Sequence, residues 1–147
     1  MTTSTHIYFV LDRSGSMQSI ASDVIGGFNG FVAAQRANGD DAVMTVVQFD
    51  TQDPHEVLGG ARPIAAVAEL SAATYLPRSG TPLYDAMGHT IADATIRVEQ
   101  RRAAGLDAEE IIFVTFTDGH ENQSVEYTRQ MIFDLMKKRQ DDEWTFA

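Results

Sequence analysis

Short apolar runs alternate along the chain with longer stretches in which apolar residues recur every three or four positions. Short continuous runs are typical of strands buried on both faces of a parallel sheet, and the wider spacing is typical of amphipathic helices. The runs predict strands at 7–11, 42–50 and 110–119, an irregular strand at 55–67 and the start of another at 143–147. The spacing predicts helices at 19–37, 84–105 and 124–140.

This alternation of strand and helix predicts the fold class. We expect an α/β fold of three layers, in which a Rossmann-like, doubly wound and mainly parallel sheet carries helices on both faces. The chain has 147 residues and contains no repeat, low-complexity segment or interdomain linker. We therefore expect residues 1–147 to form a single domain.

Composition narrows the classes of partner. The net charge of −10 repels polyanions, and the one basic cluster, MKKRQ (136–140), lies late in a predicted helix, so we expect no nucleic-acid partner. The N-terminal MTTST has no positive cluster, and the apolar stretch after it is short, so we expect neither a signal peptide nor a membrane partner. The chain has no cysteine, which excludes disulfides and agrees with the cytoplasmic location that we expect.

The segment DRSGS (12–16) comes directly after the first apolar run. Side chains on an extended backbone alternate sides, so Asp12, Ser14 and Ser16 project the same way if the segment stays extended. Gly15 lets the backbone turn without steric cost. The alternative interpretation is an ordinary helix start, in which a serine caps exposed N–H groups.

Two further oxygen-bearing residues occupy related places in the predicted fold. Asp118 ends the strand predicted at 110–119, and Thr81 lies in the loop SGTPL (79–83) before the second helix. Ligands of open α/β sheets lie outside the carboxyl ends of the strands. If the first strand and the 110–119 strand are neighbours, Asp12, Thr81 and Asp118 therefore converge on one point.

The predicted cluster offers two carboxylates and three hydroxyls. Such a set of hard oxygen ligands suits Mg²⁺, Mn²⁺ or Ca²⁺ and suits zinc poorly. The five side-chain oxygens leave at least one position of an octahedron to water or to an outside ligand.

These residues resemble a known motif. DRSGS, together with Thr81 in SGTPLYDA and Asp118 in TDGHEN, is similar to the metal-ion-dependent adhesion site (MIDAS) of the von Willebrand factor A family. The resemblance spans nearly the whole chain and is closer to bacterial members than to integrin or extracellular-matrix members. It implies the sheet order 3-2-1-4-5-6, with the third strand antiparallel at the edge.

The resemblance also implies a role for each residue. Ser14 and Ser16 would bind the metal directly, Thr81 would do so in the ligand-competent state, and Asp12 and Asp118 would act mainly through bridging waters or hydrogen bonds. Mg²⁺ is the expected ion, with Mn²⁺ or Ca²⁺ as alternatives. A Glu or Asp carboxylate of a protein partner would take the open position, so we expect a binding module and not an enzyme.

Several nearby residues have more ordinary interpretations. Asp85 follows Thr81 by four residues, but an acidic residue at a helix start is usually favoured by the helix dipole alone. Arg78 and Tyr84 either line the binding rim or serve the structure. Turn chemistry explains acidic residues at 40, 41 and 50 better than a second acidic site does. Of the residues at 120–122, the histidine is interpreted as an exposed loop residue and the asparagine as the cap of the following helix.

Two other functions stay open at this point. A metal-dependent phosphoesterase or other hydrolase would use the same oxygen cluster, although many such enzymes need two metal ions. The resemblance to bacterial members also implies a second alternative, an adaptor subunit beside an AAA+ ATPase partner. The chain itself has no G-x-x-x-x-G-K-[ST] phosphate loop, so any nucleotide hydrolysis would come from that partner.

Compared with the family, the chain ends early. Residues 144–147 would supply only the start of the fifth strand, which suggests a truncated chain or a minimal variant. An edge near the 110–119 strand would then be poorly covered. We expect a homo-oligomer or a partner segment to complete that edge.

Overall fold

A computed structural model of the protein describes residues 5–37, 42–53, 55–117 and 124–147. Two short 3₁₀ helices, Gly15–Ile20 and Ile64–Ala66, accompany the main elements. In chain order the main elements are β1 (Thr5–Asp12), α1 (Ala21–Ala37), β2 (Ala42–Phe49), β3 (Glu56–Pro63), α2 (Leu83–Ala103), β4 (Glu110–Phe116), α3 (Arg129–Asp141) and β5 (Thr145–Phe146).

The strands form one sheet in the order β3-β2-β1-β4-β5. β1 pairs in parallel with both β2 and β4, β4 pairs in parallel with β5, and β3 runs antiparallel to β2 at the edge. The predicted α/β class with a mainly parallel sheet and one antiparallel edge strand is thus confirmed. Leu11 lies opposite Phe116, so the carboxyl ends of β1 and β4 are neighbours, as the predicted convergence requires.

Helices cover both faces of the sheet because β1 alternates apolar side chains between two cores. Phe9 and Leu11 pack in a cluster with Phe28 of α1. Tyr8 and Val10 pack in a second cluster, which includes residues of both α2 and α3. The central strand is therefore buried on both sides, which is why it reads as an unbroken apolar run.

The start of α3 differs from the prediction. The helix predicted at 124–140 begins at Arg129, because Thr128 is its N-cap and the Thr128 side chain accepts a hydrogen bond from the Met131 N–H at 3.2 Å. The predicted cap at position 122 lies outside the described residues. Within α3, Ile132 is the buried residue, whereas Met131 is exposed.

Tyr127, the residue before this cap, packs against α2 where a glycine makes room. A Cβ added to Gly88 would lie 2.5 Å from the Tyr127 ring, closer than side-chain contacts allow. Any larger residue at Gly88 would therefore push α2 and the segment before α3 apart. Among the helices that the structure describes, none is both long enough and apolar enough to cross a membrane.

Candidate metal centre

Asp12 ends the central strand and is fully buried. Its Oδ1 accepts the backbone N–H of Ser14 at 2.8 Å, a local turn that Asp and Asn side chains favour. Its Oδ2 accepts the hydroxyl of Thr117, which follows β4, at 2.9 Å. The Tyr75 hydroxyl donates to the Asp12 backbone carbonyl. The carboxylate is thus fixed in orientation from two neighbouring strand ends.

The two serines lie side by side. Ser14 is buried, Ser16 is exposed, and their Oγ atoms are 3.0 Å apart. An octahedral Mg²⁺ with bonds of about 2.0–2.1 Å places neighbouring ligands about 2.9 Å apart. The spacing of the two hydroxyl oxygens therefore fits two adjacent ligands of one such ion. The 3₁₀ helix that begins at Gly15 gives this placement, in place of the extended backbone expected from the sequence.

The loop before α2 is fastened to this segment by backbone hydrogen bonds. The Gly15 N–H donates to the Ser79 carbonyl at 2.8 Å, and the Arg78 N–H donates to the Arg13 carbonyl at 2.7 Å. These two bonds hold the loop that carries Thr81 against the loop that carries both serines. Thr81 itself is buried.

Ser79 has an unusual backbone conformation at this junction. Its φ is +52°, in the left-handed region that non-glycine residues rarely adopt. Such conformations cost of order 1–3 kcal/mol and persist where the surrounding structure holds them, often at functional sites. Here the carbonyl of Ser79 accepts the bond from Gly15 that joins the two loops.

The fifth predicted ligand, Asp118, lies outside the described residues, as do the other singled-out residues of its loop at 120–122. Thr117, immediately before it in sequence, contacts Asp12. Within the described ranges, no cluster of three or more His, Asp or Glu side chains is arranged to hold a metal. The candidate centre therefore depends on hydroxyl oxygens, on Asp12 and on Asp118.

Asp50 and Arg13 are parts of the site that sequence reasoning missed. Turn chemistry was predicted for Asp50, and its Oδ1 does accept the N–H groups of the following turn, at Gln52 and Asp53. Its Oδ2, however, pairs with Arg13 Nε at 3.2 Å and with Arg78 Nε. The hydrogen bond to Asp50 raises the pKa of Arg78.

Two other predictions near the site are refined by the structure. Tyr84, in the first turn of α2, packs against the apolar cluster that contains Tyr8 and Val10. This contact favours a structural role for Tyr84 over a place at the binding rim. Asp85 is buried, and its role goes beyond a favourable interaction with the helix dipole. Its two oxygens accept the backbone N–H groups of Val125, Glu126 and Tyr127 at 2.8–2.9 Å. These bonds hold residues 125–127 out of the helix, which explains the late start of α3.

A second, partly buried polar cluster lies at the opposite end of the sheet. Glu109, just before β4, accepts two N–H bonds from Arg97, at 2.9 and 3.1 Å, and lies 3.3 Å from His6 Nδ1. Burial raises the pKa of Glu109, but the hydrogen bonds from His6 and Arg97 and the charges of both outweigh burial and hold this pKa at about 2. Burial also raises the pKa of the Tyr8 hydroxyl.

The two ends of the sheet thus differ in chemistry. At the carboxyl ends, hydroxyls and a carboxylate without a described cationic partner form a set that suits a hard divalent cation. At the amino ends, the acid is already paired with arginine. No protein-family model matches this chain, and a search of curated proteins finds no match.

Proposed function

We propose that this chain is a bacterial-type von Willebrand factor A domain that acts as a metal-dependent protein-binding module in the cytoplasm. Its MIDAS would hold Mg²⁺, with Mn²⁺ or Ca²⁺ as substitutes, and would capture a Glu or Asp side chain of a partner protein. The proposed ligand set is Asp12, Ser14, Ser16, Thr81 and Asp118.

One observation carries the proposal. The Ser14 and Ser16 hydroxyl oxygens, 3.0 Å apart, lie on a loop that the buried Asp12 orients and that two backbone bonds fasten to the Thr81 loop. Two segments distant in sequence, 12–16 and the loop at 78–81, are thus held together at the carboxyl end of the central strand, where ligands of open α/β sheets bind.

The sheet supports the same family. The order β3-β2-β1-β4-β5, with β3 antiparallel at the edge, agrees with the first five positions of the order that the resemblance implies. Fold alone does not define function, so this agreement supports only the framework of the proposal.

Within the proposed module, the site residues have different roles. Ser14 and Ser16 offer neutral oxygens, and Asp12 holds the loop through the Ser14 N–H. Neutral ligands leave a divalent ion strongly electrophilic, which is the chemistry that lets a bound ion attract a carboxylate. The buried Thr81 and Asp12 keep the inner side of the site away from bulk water.

The experiment compares Mg²⁺ binding by calorimetry in the wild type and in a Ser14→Ala/Ser16→Ala double variant. We expect one Mg²⁺ per chain in the wild type and none in the variant. Ser19→Ala is the matched control, because Ser19 is an exposed residue of the same 3₁₀ helix. A library of otherwise neutral peptides, each with one Glu or Asp, should bind only with Mg²⁺, and the matching Gln or Asn peptides should not bind.

Two results would contradict the proposal. Peptide binding that persists in excess EDTA would show that capture does not use a metal. Hydrolysis of chromogenic phosphoesters by the wild type, lost in Asp12→Ala, would replace the binding module with the hydrolase alternative.

A further inference from the structure

The turn between β2 and β3 packs beneath both loops of the candidate metal centre. Asp50, its first residue, is fully buried, and its Oδ1 accepts the N–H groups of Gln52 at 3.0 Å and Asp53 at 2.8 Å. The next residue, Thr51, accepts the Gly80 N–H at 3.0 Å through its hydroxyl. The turn is thus a fixed support that reaches the loop before α2.

The other oxygen of Asp50 is shared by two guanidinium groups. Oδ2 lies 3.2 Å from Arg13 Nε, an ion pair without hydrogen-bond geometry, and it accepts a hydrogen bond from Arg78 Nε. The Arg13 side chain is buried and reaches Glu56 as well, at 3.1 Å. The Arg78 side chain is 39 % exposed. One buried carboxylate therefore links two arginines from two separate loops.

Both arginines lie next to proposed metal ligands in the chain. Arg13 stands between Asp12 and Ser14, and Arg78 precedes Thr81 by three residues. The Arg78 N–H also donates to the Arg13 carbonyl at 2.7 Å, so the two residues meet through backbone as well as through Asp50. A change at Asp50 would be transmitted to both loops.

We propose that Asp50 is a positioning residue of the metal centre, which holds the serine loop and the Thr81 loop in one register through Arg13 and Arg78. This inference rests on the proposed function, because it concerns the affinity of the proposed site for Mg²⁺. Asp50 is not itself a ligand of the proposed ion. It fixes the backbone from which Ser14, Ser16 and Thr81 project.

A positioning role and a purely electrostatic role of Arg78 predict opposite changes in Mg²⁺ affinity when Arg78 is removed. If Arg78 acted on the ion only through its charge, removal of this cation would strengthen Mg²⁺ binding, because like charges repel. If Arg78 is an arm of the Asp50 link, its removal loosens the Thr81 loop and weakens Mg²⁺ binding. The sign of the change in affinity therefore separates the two roles.

The test measures the Mg²⁺ dissociation constant by calorimetry in Asp50→Asn and Arg78→Met, with folding checked by circular dichroism. We expect each variant to bind Mg²⁺ about 10- to 100-fold more weakly, the range typical of residues that orient metal ligands. Arg62→Met, an exposed arginine of β3, is the matched control and should bind like the wild type. Arg78→Met keeps the test decisive if Asp50→Asn fails to fold, because the Arg78 side chain is partly exposed.

The outcomes separate this inference from the function on which it rests. Unchanged or tighter Mg²⁺ binding in Arg78→Met would overturn the positioning role while leaving the metal site intact. A wild type that binds no Mg²⁺ would instead overturn the proposed function itself.

Discussion

Two buried carboxylates at opposite ends of the β1–β4 pair are held in different ways. Asp12, at the carboxyl end of β1, receives its hydrogen bonds from neutral donors, the Ser14 N–H and the Thr117 hydroxyl. Glu109, at the amino end of β4, receives two bonds from the Arg97 guanidinium. Arg101 also lies near Glu109, with Nε at 3.7 Å.

The difference shows which acid is paired with charge inside the protein and which is held by neutral donors alone. Burying a carboxylate costs several kcal/mol unless an opposite charge or hydrogen bonds compensate for it. Glu109 obtains its counter-charge within the protein, so nothing further is needed there. Asp12 has no ion-pair partner in the part of the chain that the structure describes, and beside it lie two hydroxyls at a spacing that fits one cation.

The largest effect is expected from Glu109→Gln. The substitution leaves Arg97 and Arg101 without their shared counter-charge, so we expect the free energy of unfolding to fall by about 3–4 kcal/mol. Urea unfolding with and without Mg²⁺ measures it, and the loss should be the same in both. The neighbouring exposed Glu110→Gln should change stability by less than about 0.5 kcal/mol. A loss that depended on Mg²⁺ would contradict the separation of the two ends.

The pH dependence of stability should report the same acid. The pKa of Glu109 is about 2 in the folded protein, against a usual 4.5, so the unfolded chain binds more protons between these values. The resulting stabilisation is complete above about pH 4.5 and is lost as the pH falls toward 2. Thermal unfolding from pH 2 to 6 should show a steeper acid limb in the wild type than in Glu109→Gln. Parallel limbs would show that Glu109 is not the source.

Asp12→Asn should behave in the opposite way. Asn keeps an oxygen for the Ser14 N–H, and its amide can donate to the Thr117 hydroxyl oxygen, so without metal we expect a change of less than about 1 kcal/mol. With Mg²⁺ at about 100 times its dissociation constant, the wild type should gain about 2.7 kcal/mol and the variant should gain nothing. Thermal unfolding in Mg²⁺, in EDTA and in KCl of equal ionic strength separates these effects. Equal stabilisation of both proteins by Mg²⁺ would show that Asp12 is not part of the metal centre.

Much of the fold could be predicted from sequence because local pattern determines it. The continuous apolar run of β1 and the helical spacing of Met87, Ile91 and Ala94 in α2 each point to one kind of element, and the structure has both. The start of α3 could not be predicted, because Asp85 binds the backbone at 125–127 from forty residues away. A contact at that separation leaves no periodic signal.

The candidate site likewise contains residues that could be predicted from the sequence and residues that could not. Asp12, Ser14 and Ser16 could be found because they lie together in the chain at a strand end. The roles of Asp50 and Arg13 could not be found, since each depends on which loops pack together. An acidic residue after a strand is usually a turn residue. Oδ1 of Asp50 fits this description, because it accepts the N–H groups of the turn.

The smallest expected effect tests how Asp12 is held. Thr117→Val removes the hydroxyl that donates to Asp12 Oδ2, so we expect a loss of about 1 kcal/mol in stability and a weaker affinity for Mg²⁺. Thr115→Val, in β4 two residues earlier, removes only a 3.5 Å contact to the Met87 sulfur and should leave Mg²⁺ binding unchanged. Calorimetric titration of both variants gives the comparison. Equal affinities in the two variants would mean that this neutral donor does not orient Asp12 for a cation, and the contrast between the two buried acids would then rest on Glu109 alone.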